Sequence, residues 1–264
     1  NGVVLDPAQL LHEIAEIVRA IGGQAITVLG EVLAEPDHPH AVPAAALLGA
    51  FGDAGDLAAP PLVQALGDPR FNLRWEAKRS LRRLGQSGLT ALLEALQHPD
   101  GNLRWEAAQL LLALPDPPVE PLLVSFQSDL ASEDMTIRRR AIRALGGLNA
   151  PAARQLIEDA LGDPDALIRR AAVAQLGISG TAESVTALLA RWPQEEDEET
   201  AETILQVAAD LDPQIAVPTL IEALASEDSH LRRTATDLLS QVGEPAVIPL
   251  VEALSSRPTE IDFN

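Results

Sequence analysis

Tryptophan and arginine side chains recur at one face of a repeated segment. The pentapeptide Leu-Arg-Trp-Glu-Ala at 73–77 returns thirty residues later at 103–107. At 100° per residue, Trp75, Arg79 and Arg82 point away from the apolar face of the predicted helix. A guanidinium can hold a carboxylate through two hydrogen bonds and stack on an aromatic plane. This face is therefore suited to an acidic protein segment, or to a planar ligand that carries carboxylates.

The same helical offsets place further side chains on this face in four later copies. They are Trp105 and Gln109, then Arg139 and Arg143, then Arg170, and then Arg233. We predict that these residues and those of the first copy form one partner-binding or ligand-binding stripe. Packing of the two tryptophans on neighbouring arginines or on the preceding helix is the structural alternative, and both interpretations stay open.

The sequence offers few groups for covalent chemistry or metal binding. Cysteine and tyrosine are absent, which removes thiol nucleophiles, thiolate ligands and disulfides. His38 and His40 share a turn, but His98 and His230 lie in other copies, so no third metal ligand stands at a fixed spacing. No carboxylate pair has a spacing that identifies a general acid and a general base. We predict no catalytic residue and no metal site.

An array of helical hairpins must position these side chains. An arginine marks the second helix of five copies, with an apolar residue before it and an alanine three positions after it. These repeat arginines are Arg74, Arg104, Arg138, Arg169 and Arg232, and Ala41 and Thr200 take the marker position in two further copies. An apolar residue follows every marker by seven positions, so each second helix can pack against its neighbours. The pattern predicts about seven two-helix repeats.

The two helices of each repeat are predicted to meet at a turn rich in Asp, Pro or Ser, residues that cap helices or bend the chain. Prolines such as Pro61, Pro121, Pro218 and Pro249 are expected near the start of first helices, where a missing N–H costs little. The turn of the sixth repeat is an acidic run at 193–199. Such runs are typical of solvated loops, which we expect here.

These patterns predict an all-α fold, with one continuous solenoid over 1–264. A capping helix is expected within 1–22, seven repeats over 23–245, and a partial repeat and tail over 246–264. The composition agrees, since 47% of residues are hydrophobic and only 3% are aromatic, which favours helices rich in alanine and leucine.

The charge of the chain restricts its partners. Its 39 acidic and 19 basic residues give a formal net charge of −20, which argues against nucleic acid, because neutralising phosphates requires a basic surface. The longest apolar stretch, 41–52, is shorter than the roughly 18 residues of a membrane span. We expect a cytoplasmic protein with protein partners, no nucleic acid and no membrane insertion.

The pattern apolar-Arg-x-x-Ala-x-x-x-Leu-Gly-x-Leu-Gly, which follows Asp-Pro or Glu-Asp turns, resembles HEAT repeats of the phycobilisome lyase type over most of the chain. The resemblance implies a HEAT/armadillo-like, right-handed α-α superhelix. Second helices would line its concave face, and the marker arginines would brace adjacent repeats. Repeats of this type are shared by bilin lyases, chromophore-handling chaperones and adaptor proteins.

Three functions stay open. We favour a non-catalytic scaffold, adaptor or assembly chaperone that needs no cofactor and holds a partner protein on the concave face, either a phycobiliprotein or an acidic segment. The resemblance also implies a bilin lyase or bilin-handling subunit, which would orient the pigment towards a cysteine of its target protein. The third function is a helper that stabilises a partner's cofactor without ligating it.

Overall fold

A computed structural model describes residues 7–256, without the side chains of 7, 8, 53, 54 and 256. Every regular element in this range is helical, so the prediction of an all-α fold is confirmed. The α-helices are α1 (Pro7–Ile21), α2 (Gly23–Ala34), α3 (Ala41–Leu48), α4 (Ala59–Ala65), α5 (Phe71–Arg83), α6 (Gly85–Ala95), α7 (Gly101–Leu112), α8 (Val119–Leu130), α9 (Met135–Gly146), α10 (Pro151–Asp159), α11 (Ala166–Ser179), α12 (Ala182–Arg191), α13 (Glu198–Leu211), α14 (Pro213–Ala223), α15 (Ser229–Val242) and α16 (Glu244–Ser256). Short 3-10 helices follow α3, α10 and α12, at Gly49–Ala54, Ala160–Gly162 and Trp192–Gln194.

The chain divides into two compact units between Ser125 and Phe126. In the first unit, α2 packs on α3, α4 on α5, and α6 on α7. In the second unit, α10 packs on α11, α12 on α13, and α14 on α15. Each unit is thus built from helical hairpins, while one continuous solenoid over 1–264 stays a prediction.

The first and last helices occupy the segments expected to end the array. Helix α1 lies where a capping helix was expected, and α16 begins the expected partial repeat. The rest of that tail, from Arg257 onwards, lies outside the described residues.

No single helix within residues 7–256 has the length and apolar composition of a membrane span. The segments Gln9–Ile21 and Gly23–Ala34 have that length and apolar composition only when they are taken together, and the chain bends by 117° between them.

The second helices bury the face that the sequence predicts. The alanines three positions after the marker are all buried, namely Ala44, Ala77, Ala107, Ala141, Ala172 and Ala235. On α5, Leu73, Leu81 and Leu84 are buried beside Ala77. A small side chain at the centre of the face lets two helices approach closely, and the leucines supply most of the apolar area that burial removes from water.

Aspartates begin most of the second helices. The Asp134 carboxylate accepts the backbone N–H of Thr136 at 2.7 Å and caps α9. Aspartates at 100, 165, 197 and 228 cap α7, α11, α13 and α15 in the same way. Each satisfies a backbone donor that the helix leaves unpaired and places a negative charge at the positive end of the helix dipole. The N–H of Thr136 holds the pKa of Asp134 below its usual value.

Two of the proline predictions are wrong in position. Helices α14 and α16 begin earlier than expected, so Pro218 and Pro249 lie inside them. Asp212 starts α14 six residues before Pro218 by accepting the N–H groups of Gln214 and Ile215. Pro61 does lie in the first turn of α4, as predicted.

Candidate functional site

The exposed face of α5 combines aromatic and cationic side chains. Trp75 is 53% exposed, and Phe71, one turn earlier, is 68% exposed. The guanidinium carbon of Arg79 lies 5.6 Å from the centroid of the Trp75 ring, within the range of a cation–π interaction. Phe71 lies outside the predicted set, although its position four residues before Trp75 places it on the same helix face.

The last turn of α5 adds two free cations to this face. Arg82 and Arg83 are exposed, and neither has an ion-pair partner among residues 7–256. Both lie at the helix C-terminus, where the helix dipole favours positive charge. Helix α5 contains five basic residues and one acidic residue, a net charge of +4. This helix therefore offers an anionic partner both charge and stacking surface.

The acidic residue of α5 is buried beneath this face. Glu76 is only 5% exposed, and its Oε2 lies 3.5 Å from Nη1 of Arg79. This weak contact orients the arginine beside Trp75 and leaves half of its side chain exposed. Nζ of Lys78, another cation of α5, lies 2.5 Å from Oε2 of Glu106 of α7. Lys78 thus serves the contact between two repeats, whereas Arg79 faces outward.

The corresponding face of α7 is less open than the repeated pentapeptide predicts. Gln109 is exposed, but Trp105 is partly buried. The two tryptophans are therefore not equivalent, and Trp75 presents the more accessible ring.

In the second unit, the predicted residues also differ in availability. Arg139 and Arg143 of α9 are exposed and have no ion-pair partner within the described part of the chain. Arg170 is less available, because it forms an ion pair with Glu199 of α13. Arg233 of α15 is 83% exposed in its side chain, and its Nε lies 3.9 Å from the carboxylate of Asp237.

The marker arginines bind the turn that precedes their own helix. Nη1 of Arg74 donates to the carbonyl oxygens of Asp68 and Pro69 at 2.8 and 2.7 Å. The same pair of bonds, to the carbonyls six and five residues earlier, is formed by Arg104, Arg138, Arg169 and Arg232. These bonds lie within one repeat, so bracing between repeats is not their shared role.

Two marker arginines also reach the following repeat. Nε of Arg138 lies 3.1 Å from Oδ2 of Asp163, and the guanidinium of Arg169 donates to both oxygens of Glu195 at 2.7 and 2.5 Å. Asp163 and Glu195 each stand two residues before a capping aspartate. An Asp or Glu two residues before a capping aspartate is therefore the sequence feature that indicates an ion pair with the marker arginine of the preceding repeat.

The expectation of a solvated loop at 193–199 is wrong for Glu195. Its side chain is fully enclosed, and its carboxylate accepts the backbone N–H of Asp197 at 3.0 Å. Nη2 of Arg191 lies 3.5 Å from Oε2 of Glu195. The hydrogen bonds from Arg169 lower the pKa of Glu195 despite its desolvation. An acid held between two guanidiniums is structural, because the positive charges offset the cost of removing it from water.

The histidine turn has no arrangement for metal binding. The rings of His38 and His40 are 5.5 Å apart, and the Nε2 of His38 lies 3.8 Å from Glu35. Among the residues that the structure describes, no group of three or more His, Asp or Glu side chains is placed to hold a metal ion.

The repeat pattern matches a known family over most of the chain. A model of HEAT repeats matches residues 26–112, 127–209 and 187–261. The chain belongs to the HEAT-repeat family. Its helical hairpins are HEAT repeats, of the α-solenoid class. A comparison with curated proteins gives no match for this HEAT-repeat chain.

Several solved structures are similar to this HEAT-repeat chain at low identity. Human deoxyhypusine hydroxylase in complex with glycerol is 19% identical, with a TM-score of 0.41 over 90% of this chain and 91% of that chain. The Escherichia coli protein YibA is 18% identical, with a TM-score of 0.47 over 90% and 93% of the two chains. An engineered protein is 18% identical, with a TM-score of 0.34 over 88% and 97%. Similarities at this level carry no functional argument.

Proposed function

We propose that this HEAT-repeat chain is a non-catalytic scaffold, an adaptor or assembly chaperone, that holds an acidic segment of a partner protein against its second helices. HEAT repeats commonly mediate contacts between proteins. The observation that carries the proposal is the half-exposed pair Trp75 and Arg79, on a helix of net charge +4 in a chain of net charge −20.

The distribution of charge between helices supports an acidic partner. Fourteen of the nineteen basic residues lie on α5, α7, α9, α11 and α15, which carry only three acidic residues. These five helices therefore have a net charge of +11, and the rest of the chain has a net charge of −31. Within each unit, a partner rich in Asp and Glu would be attracted to these helices and repelled by the remainder.

The chemistry of the exposed α5 face also fits such a partner. An arginine that already lies against an indole loses little conformational freedom when it binds a carboxylate. Tryptophan and arginine are the residue types that most often dominate the energy of protein interfaces. Phe71 and Trp75 add apolar surface on which a partner side chain can pack.

The test compares the native chain with the triple variant Trp75→Ala, Arg79→Ala and Arg82→Ala as baits for proteins of the source cell. These side chains are exposed, so we expect a nearly unchanged melting temperature and the loss of a specifically captured acidic protein. A control with alanine at the exposed positions Thr90 and Glu94 of α6 and Gln97 of the following turn should capture it normally. Equal capture by all three baits would remove this face from the proposed function.

A second candidate function is a bilin lyase or bilin-handling subunit. The repeat pattern that resembles the phycobilisome lyase type supports it, together with an exposed indole beside cations that could hold the carboxylates of an open-chain tetrapyrrole. Mixing the chain with a free bilin distinguishes the two functions. A red-shifted absorption band and quenched tryptophan emission, both lost in Trp75→Ala, would support pigment binding, and an unchanged spectrum would oppose it.

The third candidate, a helper that stabilises a partner's cofactor, predicts a different result in the same pair of experiments. The captured partner would then contain a cofactor, while the chain alone would bind no bilin. The time for which the partner keeps its cofactor, measured with and without the HEAT-repeat chain, tests this role.

A further inference from the structure

A cavity of about 370 Å³ lies in the first unit between α1 and the end of α3. From α1 it is lined by Leu11, His12, Ala15 and Arg19. From the other side it is lined by Ala46, Gly49, Ala50, Gly52 and Arg83. Cavities of small-molecule binding sites are typically about 300 to 1,000 Å³, so this one is large enough for a compact ligand.

The cavity exists because α1 rests on small side chains. Ala15 is buried, whereas the larger Ile17 and Ile21 of α1 are more than half exposed. On the opposite side, Gly52 has a φ of +58°, and a Cβ built there would meet no heavy atom within 4 Å. Small residues on both sides thus hold the helix without filling the space beneath it.

The polar groups of the cavity are mainly basic. Arg83 is exposed and has no ion-pair partner among residues 7–256. Arg19 forms an ion pair with Glu16, one turn away on the same helix, and His12 is exposed. An unpaired guanidinium at the edge of a cavity that also contains apolar side chains favours an anionic ligand.

We propose that this cavity binds a small organic carboxylate with an apolar chain. Arg83 pairs with the carboxylate, and Arg19 adds a second positive charge. The apolar body contacts Leu11, Ala15 and Ala46. Arg83 also lies at the end of the exposed α5 face, but Trp75, Arg79 and Arg82 do not line the cavity, so the two sites can be changed independently.

Ligand binding has a consequence for α1. A ligand that fills the cavity adds contacts between this helix and the first repeat, so local opening of α1 becomes less frequent. Amide hydrogen exchange of α1 should therefore slow when the ligand is bound.

The experiment titrates the full chain with sodium octanoate by calorimetry and follows hydrogen exchange of α1. We expect saturable binding at one site. Acetate lacks the apolar body and octylammonium reverses the charge, so both should bind at least tenfold more weakly. Octylammonium binding as tightly as octanoate would show non-specific apolar adsorption and overturn the proposal.

Two arginine variants localise the binding. Arg83→Gln should weaken octanoate binding at least fivefold and abolish the slowed exchange of α1. Arg82→Gln removes the same charge from the neighbouring exposed position, which does not line the cavity, and should bind octanoate like the native chain. The proposal is wrong if Arg83→Gln binds octanoate with native affinity, or if both variants weaken it equally.

Discussion

At the scale of single residues, charged side chains of one type have very different roles. Arg79 lies against Trp75 and stays half exposed, so its guanidinium can still bind an anion. Arg169 is 8% exposed and holds Glu195 through two hydrogen bonds. The difference follows from position on the helix. Arg169 reaches the turn of the following repeat, whereas Arg79 lies on the exposed face of α5.

The pair Arg169 and Glu195 predicts a pH-dependent variant. Glu195 has a folded-state pKa below its ordinary value of 4.5, so its ionised form stabilises the fold above that pH. This contribution is lost as the pH falls through the folded-state pKa. Glu195→Gln leaves two guanidiniums without their carboxylate and should cost about 3 kcal/mol at neutral pH. The stability difference between native chain and variant should shrink as the pH falls from about 6 to about 3.

Chemical denaturation across this pH range measures the difference. Glu196→Gln, at the exposed neighbouring position, is the matched control and should leave stability nearly unchanged at every pH. A Glu195→Gln penalty that stays constant with pH would contradict a role for the ionised carboxylate.

At the scale of helices and turns, one arrangement of hydrogen bonds recurs between the two helices of a repeat. A capping aspartate begins the second helix, and the arginine four residues later binds the two carbonyls just before the cap, as in Asp228 and Arg232. The aspartate satisfies a free N–H and the arginine satisfies two free carbonyl oxygens. The turn is thereby fixed without apolar residues, which suits a segment at the surface.

This arrangement predicts how much stability is lost when the capping aspartate is removed. Asp228→Ala loses the hydrogen bond from the N–H of His230 and should reduce the free energy of unfolding by about 1 kcal/mol. Glu227→Ala removes a neighbouring acid whose exposed side chain caps nothing, and we expect almost no change. Urea unfolding of both variants provides the measurement, and equal losses would mean that charge rather than capping sets the effect.

At the scale of the whole molecule, the net charge of −20 opposes folding through repulsion between acidic surfaces. Salt reduces this repulsion, since the screening length falls from roughly 10 Å at 0.1 M to about 3 Å at 1 M. We expect the melting temperature to rise with NaCl at neutral pH. The rise should be much smaller near the isoelectric point of about 4.5, where the net charge is close to zero. A melting temperature that falls with salt would show that attraction between basic and acidic helices dominates.

The sequence alone determined the helical repeats and the buried face of each second helix. The spacing of Ala77, Leu81 and Leu84 was sufficient, because burial of a helix face depends on local periodicity and on neighbours with the same pattern. The same periodicity indicated that Trp75 and Arg79 point outward. Helical periodicity did not distinguish Trp75 from Trp105, because the two pentapeptides are identical. In the structure, Trp75 is the more exposed of the two.

Only the tertiary structure decided which charges are available. Arg170 and Arg139 occupy equivalent positions in the repeat, yet Arg170 is paired with Glu199 of another helix and Arg139 is not. Glu195 belongs to an acidic run that resembles a solvated loop, yet its side chain is enclosed and paired with Arg169 and Arg191. Arg169 belongs to a different helix, more than twenty residues earlier in the chain. The cavity beneath α1 likewise depends on residues from α1, α3, α5 and the 3-10 helix that follows α3. Pairing and enclosure depend on distances between segments that lie far apart in the chain, and a helical period gives no information about those distances.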